Sequence, residues 1–501
     1  MKSPCAYFFA FMLCPLAALF ADESPAAKKP NIIFILSDDQ GYGDVARHGH
    51  PLLKTPNLDK LHDSSVRFEK FYVSPSCSPT RAVLMTGMHE FASGVTHTTD
   101  PREHMNKDAV ILPQLLKSAG YNTGFIGKWH LGNDGAYAPD KRGFDWCSTN
   151  VGGPNVHFDP IFIRNGKRER DKRKGYREDI FFDEAMTFID ESKGSPFFCY
   201  LATYSPHAPL AAPDEFVAPF RGKVDPDEAK FLGMVANLDY NLGRLMKYLH
   251  EKQLEENTII IYMNDNGQTH GLDVYNAGMR GSKCTIWQGG GRAMSFWQWA
   301  GKWQPHAVNN LTAHLDVLPT LCDIAGVKLP AELGPKLEGF SLRPLLESPA
   351  KQSWHDDRIL FHHVGRWPSG MAAAHKYAMA AVQTGDYLLV RSQPCDDPAC
   401  NLYSSQCTTL RSVEKGATRA TYTKDNAQLH WGVTPHGHWA LFNLKEDMTC
   451  QKDIASRHVE LTSKLASAYD KWWDGVFPTM IKHGGDKGVP LPLKGAANFD
   501  K

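Results

Sequence analysis

The stretch Asn31-Ile32-Ile33-Phe34-Ile35-Leu36-Ser37-Asp38-Asp39-Gln40-Gly41 decides how this chain is read. An apolar run rich in β-branched residues, Asn31 to Leu36, stops abruptly in polar residues. Three more runs behave the same way: Thr123 to Ile126, Pro196 to Ala202 and Thr258 to Met263. Helical patterns such as Leu112 to Ala119 and Asp179 to Glu191 lie between them. Unbroken apolar runs, rather than alternating ones, are expected of strands covered on both faces, as in the parallel sheet of an α/β protein. In such sheets ligands sit beyond the carboxyl ends of the strands. The chemistry is therefore expected in Ser37 to Gly41, Gly127 to Gly132, Ser205 to His207 and Asn264 to Gly267.

Composition agrees with a large folded chain. The 501 residues carry 55 Lys+Arg against 55 Asp+Glu, with 42% hydrophobic and 22% charged residues. Zero net charge argues against a general nucleic-acid binder, and the apolar content excludes disorder. At about 150 residues per domain the length gives about three domains, and a large α/β domain reduces that to two. Met1-Lys2, the apolar run Ala6 to Phe20 and Leu19-Phe20-Ala21 before Asp22 read as a signal peptide over residues 1–21. Pro15 interrupts that run, which falls short of the ~20 residues of a membrane span. Phe11-Met12-Leu13 lacks the small residues that precede a lipidated cysteine, so Cys14 is not read as a lipoprotein site. Nothing else approaches membrane length, and the mature chain is expected to be exported, periplasmic or secreted, without stable membrane insertion. Cys5 and Cys14 leave with the signal, so nine of the 11 cysteines remain, an odd number. Cys395, Cys400, Cys407 and Cys450 are close enough in sequence to supply one or two disulfides. The charged stretch Arg164 to Arg177 reads as a solvated surface loop.

Asp38, Asp39 and Asp265 brought to one place repel unless a cation or shared protons neutralise them. Carboxylate and Asn oxygens, without a histidine pair at zinc spacing, favour a hard ion such as Ca²⁺ or Mg²⁺. The Asp38-Asp39 doublet alone is equally compatible with a helix cap; Asp265-Asn266 at a matching strand end decides for the metal. Cys77, in Ser76-Cys77-Ser78-Pro79-Thr80-Arg81 before the helix-like Ala82 to Met85, sits where a helix dipole and Arg81 stabilise a thiolate. The other reading is a buried structural cysteine. A soft sulfur suits a hard oxygen-ligated cation poorly, so an oxygen at position 77 fits a metal site better. Gly127-Lys128 is not a P-loop, since Asn122 and Trp129 stand where Gly and Ser or Thr are required.

Cys77-Ser78-Pro79-Thr80-Arg81 with Leu84-Met85-Thr86-Gly87 resembles the first signature of the type I, formylglycine-dependent sulfatases, arylsulfatase-like members of the alkaline phosphatase superfamily. Gly120 to Gly132, including Gly127-Lys128-Trp129-His130, resembles the second, and the likeness runs from about Pro30 to Trp473. The resemblance implies an alkaline-phosphatase-like α/β/α sandwich with a mostly parallel sheet over residues 30–357. A smaller C-terminal α+β subdomain with an antiparallel sheet would follow over 358–480, and a tail over 481–501. Shorter alternating segments beyond about Arg358 (Tyr377 to Gln383, Tyr387 to Arg391, Trp439 to Leu444) and a helical stretch Glu460 to Trp473 suit that subdomain.

The resemblance further implies that a formylglycine-generating enzyme oxidises Cys77, which also explains the odd cysteine count. Ca²⁺, with Mg²⁺ as the alternative, is then held by Asp38, Asp39, Asp265, Asn266 and an oxygen of modified Cys77. Asp44 is not needed as a ligand. Arg81, Lys128 and Lys283 offset charge on the sulfate, His207 or Lys283 protonates the leaving alcohol, and His130 accepts a proton to release sulfate. Export suits a sulfated carbohydrate or glycan as substrate, with His97, Arg102 and Arg292 as candidate contacts, and His436-Gly437-His438 and the Cys395 to Cys407 loop as possible rims of its pocket. Two departures stand out: Gln288 occupies a position where the family usually has Glu, so that a neighbouring cation or substrate contacts would be affected, and Cys284 replaces a small residue. The alternatives are a phosphoester or phosphonate hydrolase on the same scaffold and an unmodified, inactive glycan-binding protein.

Overall fold

The structure, a computed structural model, describes residue 1 and residues 28–132, 135–350, 353–367, 369–391 and 438–488. The expected signal peptide beyond Met1 and the segment holding Cys395, Cys400, Cys407, His436 and Gly437 fall outside the described residues. The four apolar runs form adjacent strands. Thr258–Asn264, Asn31–Asp38, Phe197–Pro206 and Asn122–Gly127 lie side by side, all parallel, at the centre of a ten-stranded sheet. Trp146–Asn150 extends the parallel part, and antiparallel Ser295–Trp299 and Phe162–Arg164 flank it.

The two-sided burial expected of these strands is present. Ile32, Phe34 and Leu36 enter one core, with the helices Cys77–Thr86, Leu112–Ser118 and Val317–Ala325. Ile33 and Ile35 enter the opposite core, with Pro56–Asp63, Arg177–Glu191 and Pro226–Glu251. The result is an α/β/α sandwich. Each fully buried aliphatic side chain contributes about 1.5–3 kcal/mol, so the strands that carry the site are firmly held.

The 26-residue helix Pro226–Glu251 was not singled out from the sequence. Its start is marked by Asp225, whose side chain accepts from Asp227 N at 2.9 Å, and by Pro226 in the first turn. Most of the stretch Arg164 to Arg177 is exposed, as expected of a solvated surface segment, but its C-terminal end departs from that reading. Part of it is the edge hairpin Phe162–Arg164 and Lys167–Arg168, and Arg177 is fully buried. The Arg177 guanidinium donates to the carbonyls of Gly153, Pro154 and Val156, each at 3.1 Å, and pairs with Glu178 at 2.7 Å. Its donor-rich plane is needed to tie a loop to the sandwich.

The C-terminal part is a four-stranded antiparallel sheet, Leu360–His363, Ala380–Gln383, Tyr387–Arg391 and Ala440–Asn443, with the helix Val459–Lys482 on one face. Leu465, Tyr469, Trp473 and Met480 form that helix's buried stripe. The helix runs past the boundary expected at residue 480, carrying Pro478 inside it. Residues just beyond it are tied down: Trp367 Nε1 donates to Asp486 Oδ1 at 2.8 Å and Thr96 Oγ1 to the Gly485 carbonyl at 2.6 Å. The other face of the sheet packs on Ile286 and Trp287, which fixes the segment carrying Lys283. Among the described residues all six cysteines, Cys450 included, are free thiols.

Candidate active site

The register of the central strands places the polar ends together. Ser37 pairs with Asn264, so Asp38 and Asp265 leave neighbouring strands at the same level. Asp39 then takes a left-handed backbone, φ 66°, and its N–H donates to Asp265 Oδ1 at 3.1 Å. Asn266 Nδ2 donates to Asp39 Oδ1 at 2.8 Å. Two strands away, Gly127 adopts φ 105° against Ala202, where a Cβ would lie 1.9 Å from the carbonyl oxygen. Only glycine permits that approach, and through it Lys128 N reaches the Ala202 carbonyl at 2.8 Å.

Cys77 is the first residue of the helix Cys77–Thr86, and Arg81 lies one turn on, on the same face. Arg81 is fully buried; Nη1 donates to the Lys128 carbonyl at 2.7 Å and Nη2 to Asp265 Oδ2 at 2.8 Å, with Asp38 Oδ1 at 3.7 Å. Lys128 Nζ meets Asp38 Oδ2 at 2.6 Å, and Lys283 Nζ meets Asp39 Oδ1 at 2.6 Å. His207 Nε2 lies 3.7 Å from Asp39 Oδ2. His130, at φ 61°, turns its Nε2 to the Thr98 carbonyl at 3.1 Å and Glu103 Oε2 at 3.2 Å.

Burial alone would push Asp38 and Asp39 upward. Lys128, His207, Arg81 and Lys283 outweigh it at Asp38, holding it well below the usual carboxylate range, and Lys283 with His207 lowers Asp39. At Asp265 burial prevails, reinforced by Asp38, and the carboxyl is pushed well up despite Arg81. Burial likewise opposes charge on Lys283, but Asp39 and its neighbours hold that ammonium well above its ordinary value. Burial lowers His207 to about 4, leaving it neutral at physiological pH.

The donor set suits a hard divalent cation. Asp38 Oδ1 and Asn266 Oδ1 are buried without a hydrogen-bond partner among the described residues. One ligand atom each from Asp38, Asp39, Cys77 and His207 lies within 4.8 Å of the others. That cluster differs from the set expected from the sequence: it adds His207 and omits Asp265, whose two oxygens face Asp39 N and Arg81. Asn266 turns its oxygen free of protein partners, an orientation set by the surrounding hydrogen bonds.

Other expected residues are placed differently. Arg102 is fully buried and fully engaged, with Nε donating to Thr96 Oγ1 at 2.8 Å and the other nitrogens to the carbonyls of Gly365 and Trp367. It fastens the loop after the Cys77 helix to the C-terminal part, and all three of its guanidinium nitrogens are committed to protein acceptors rather than offered to a substrate. Arg292 stacks 4.2 Å from the centre of the Tyr42 ring and donates to the Glu69 carbonyl at 3.0 and 2.7 Å, so its fork too is committed to the fold. His97 is buried beside His130, its Nδ1 accepting from Thr98 N at 2.9 Å. Asp44 shapes the turn after Asp39, accepting from Gly41 N at 2.7 Å. Gln288 hydrogen-bonds no site residue among those described; it accepts from Tyr72 Oη at 2.6 Å and donates to Gln383 Oε1 at 3.1 Å, linking Tyr72 to the C-terminal sheet. Cys284, buried at φ 65°, ties its N–H to the Pro75 carbonyl at 2.7 Å, next to the Cys77 helix.

Two residues were missed from the sequence. Arg366, from the C-terminal part, donates to Thr98 Oγ1 at 2.7 Å, and its charge is felt at His97 and Cys284. Glu103 faces His130. Glu103 follows no buried strand, which was the signal used to find the others, and Arg366 follows Leu360–His363, a strand of the C-terminal sheet rather than of the central one.

The profile of the family described as Sulfatase matches residues 30–327. Arylsulfatase J of Mus musculus is 29% identical over 476 residues, covering 89% of this chain and 76% of that protein. N-acetylgalactosamine-6-sulfatase of Rattus norvegicus is 31% identical over 394 residues, covering 71% of this chain and 72% of the relative. Among solved structures, Ps i-CgsB in complex with k-i-k-neocarrahexaose superposes with a TM-score of 0.72 at 26% identity, over 93% of this chain and 96% of the other.

Proposed function

We propose that this chain, which belongs to the sulfatase family and is a sulfuric ester hydrolase, desulfates a sulfated carbohydrate with a formylglycine made from Cys77 and a divalent cation. The observation that carries this reading is the meeting of Arg81, Lys128 and Lys283 with the Cys77 helix terminus and the acids Asp38, Asp39 and Asp265 in one buried place. Asp38, Asp39 and Asn266 would hold Ca²⁺, with Mg²⁺ as the alternative, and Asp265 would join them by turning from Arg81. A hydrated formylglycine polarised by that ion would supply the oxygen nucleophile and a second hydroxyl for release of sulfate.

The chain's own residues do the rest. Arg81, Lys128 and Lys283 neutralise the sulfate oxygens as charge moves toward them. His207 or Lys283 gives a proton to the departing alcohol oxygen. Lys283 carries that proton at rest, whereas His207, neutral at rest, acquires one only as an anion approaches. His130 accepts a proton at the reacting group.

A carbohydrate substrate is supported by the saccharide bound to Ps i-CgsB and by the sugar named for the rat relative. Export is proposed from residues 1–21; among the described residues no helix is long and apolar enough to cross a membrane. A formylglycine-generating enzyme would be the partner that acts on Cys77.

The test combines the intact mass of the Cys77 peptide from protein made in its native host with parallel rates on nitrophenyl sulfate, nitrophenyl phosphate and defined sulfated saccharides. A peptide lighter than its cysteine form and desulfation of a saccharide are expected. An unmodified peptide, or faster phosphate cleavage, overturns the proposal.

A further inference from the structure

The loop that carries His97 also presents Glu103 to His130. The His130 ring is held at the end of the Asn122–Gly127 strand, and its Nε2 has two neighbours, the Thr98 carbonyl at 3.1 Å and Glu103 Oε2 at 3.2 Å. A carbonyl only accepts. Glu103 is also an acceptor: burial would raise its carboxyl, but the contact with His130 overrides that and keeps it ionised. With two acceptors against Nε2, the proton resides on Nε2 and the lone pair on Nδ1. Nδ1 is buried and has no hydrogen-bond partner among the described residues. The ring is thus pre-set as a proton acceptor on the edge turned away from the loop.

Charge around the ring is unequal. Burial and the cations Lys128 and Arg81 oppose a second proton, His97 is a close neighbour, and Glu103 is the acid that favours it. We propose that Glu103 is a positioning residue, fixing His130 as the Nε2–H tautomer and facing the charge that forms when Nδ1 accepts a proton. This inference rests on His130 being the base in the reading above.

The test uses the full-length modified protein and the variants Glu103→Gln, Glu103→Asp and His130→Ala, with ¹⁵N spectra of the histidine side chains and steady-state kinetics on nitrophenyl sulfate. Glutamine keeps an acceptor against Nε2 but removes the charge. His130 is expected as the Nε2–H tautomer in wild type and in Glu103→Gln, with its titration midpoint lower in the variant. In Glu103→Gln, kcat should fall about ten- to hundred-fold with KM within about twofold, and Glu103→Asp should restore part of kcat. A raised KM with kcat retained makes Glu103 a substrate contact and overturns the inference. So does an Nδ1–H tautomer in wild type, or unchanged kcat and titration in Glu103→Gln. If His130→Ala itself turns over normally, the assignment of His130 as base fails; if only that variant is impaired, the base stands and the role of Glu103 falls. Thermal melting of Glu103→Gln at the wild-type temperature shows that the effect is not loss of fold.

Discussion

Replacing Gly127 by alanine tests the link between fold and site at a single atom. The added Cβ would lie 1.9 Å from the Ala202 carbonyl oxygen, on a backbone at φ 105°. Relieving that overlap needs a displacement of about 1.4 Å, since carbon and oxygen in contact sit roughly 3.3 Å apart. The displacement disrupts the bond from Lys128 N to the Ala202 carbonyl, 2.8 Å long, worth about 0.5–1.5 kcal/mol. Strain at the positive φ adds about 1–3 kcal/mol. A loss of about 1.5–4.5 kcal/mol follows, readable as a lower denaturation midpoint. The same shift moves Lys128, whose carbonyl receives Arg81 and whose ammonium meets Asp38 at 2.6 Å. A misplacement of about 1 Å at such a centre reduces turnover about hundred-fold. Denaturation curves and kcat/KM on nitrophenyl sulfate, measured on protein of equal Cys77 modification, give both quantities. A Gly127→Ala protein as stable as wild type and with kcat/KM within twofold would refute the argument that this glycine sets the site.

Four further outcomes are expected. His207→Ala should slow alkyl sulfates by about 10²–10⁴-fold but nitrophenyl sulfate much less, because a good leaving group needs little proton assistance; equal losses on both substrates would remove His207 as the acid. Arg102→Ala should lower stability by about 2–5 kcal/mol, having removed bonds to buried acceptors, while leaving KM for nitrophenyl sulfate unchanged, as unfolding curves beside initial rates will show. Asp239 accepts from Asn57 N at 3.0 Å and Leu58 N at 2.7 Å, and burial raises its carboxyl to about 6. The folded state therefore holds this proton more tightly than the unfolded one. Relative to Asp239→Asn, wild-type stability should be greatest below about pH 4 and decline as pH rises through about 6, measured by urea unfolding across that range. Finally, titration calorimetry with inorganic sulfate should show binding that a chelator abolishes and Ca²⁺ or Mg²⁺ restores, and binding undiminished by the chelator would exclude the cation from anion recognition.

The central strands and the residues at their ends were legible because one physical cause produces both signals. Ile32 to Leu36 must be apolar on both faces to lie inside the sandwich, so the change to Ser37-Asp38-Asp39 marks the sheet edge without reference to tertiary contacts. The same holds for Gly127-Lys128 and Asn264-Asp265. Arg102 and Arg292 were misread because sequence cannot show whether an arginine's fork is committed to carbonyls. Both are, to Gly365 and Trp367 in one case and Glu69 in the other. Arg177 shows the same blindness in a charged stretch that reads as solvated. Glu103 and Arg366 were invisible because each reaches the site from a loop, and loop placement depends on distant packing. Gln288 looked like a change in the site, yet its amide bridges Tyr72 and Gln383, where a carboxylate would face the Gln383 carbonyl oxygen without a proton to offer.

The distribution of charge explains why acids and bases are found together here. Two like charges 4 Å apart repel by about 4 kcal/mol at an effective dielectric of 20, so neither Asp38, Asp39 and Asp265 nor Arg81, Lys128 and Lys283 would be tolerated alone in a buried place. Together they cancel, and a cancelled field does not select an anion. The cancellation is also uneven. Asp38 and Asp39 each have a lysine and stay ionised, whereas Asp265 shares Arg81 with Asp38 and is pushed toward protonation. A divalent ion among these oxygens removes that imbalance, since it favours the ionised form of all three acids. With such an ion bound, the lysines and Arg81 would be released from their carboxylates and free to face an incoming sulfate. On this argument metal binding and anion binding are one coupled event, and the affinity for each should rise with the concentration of the other.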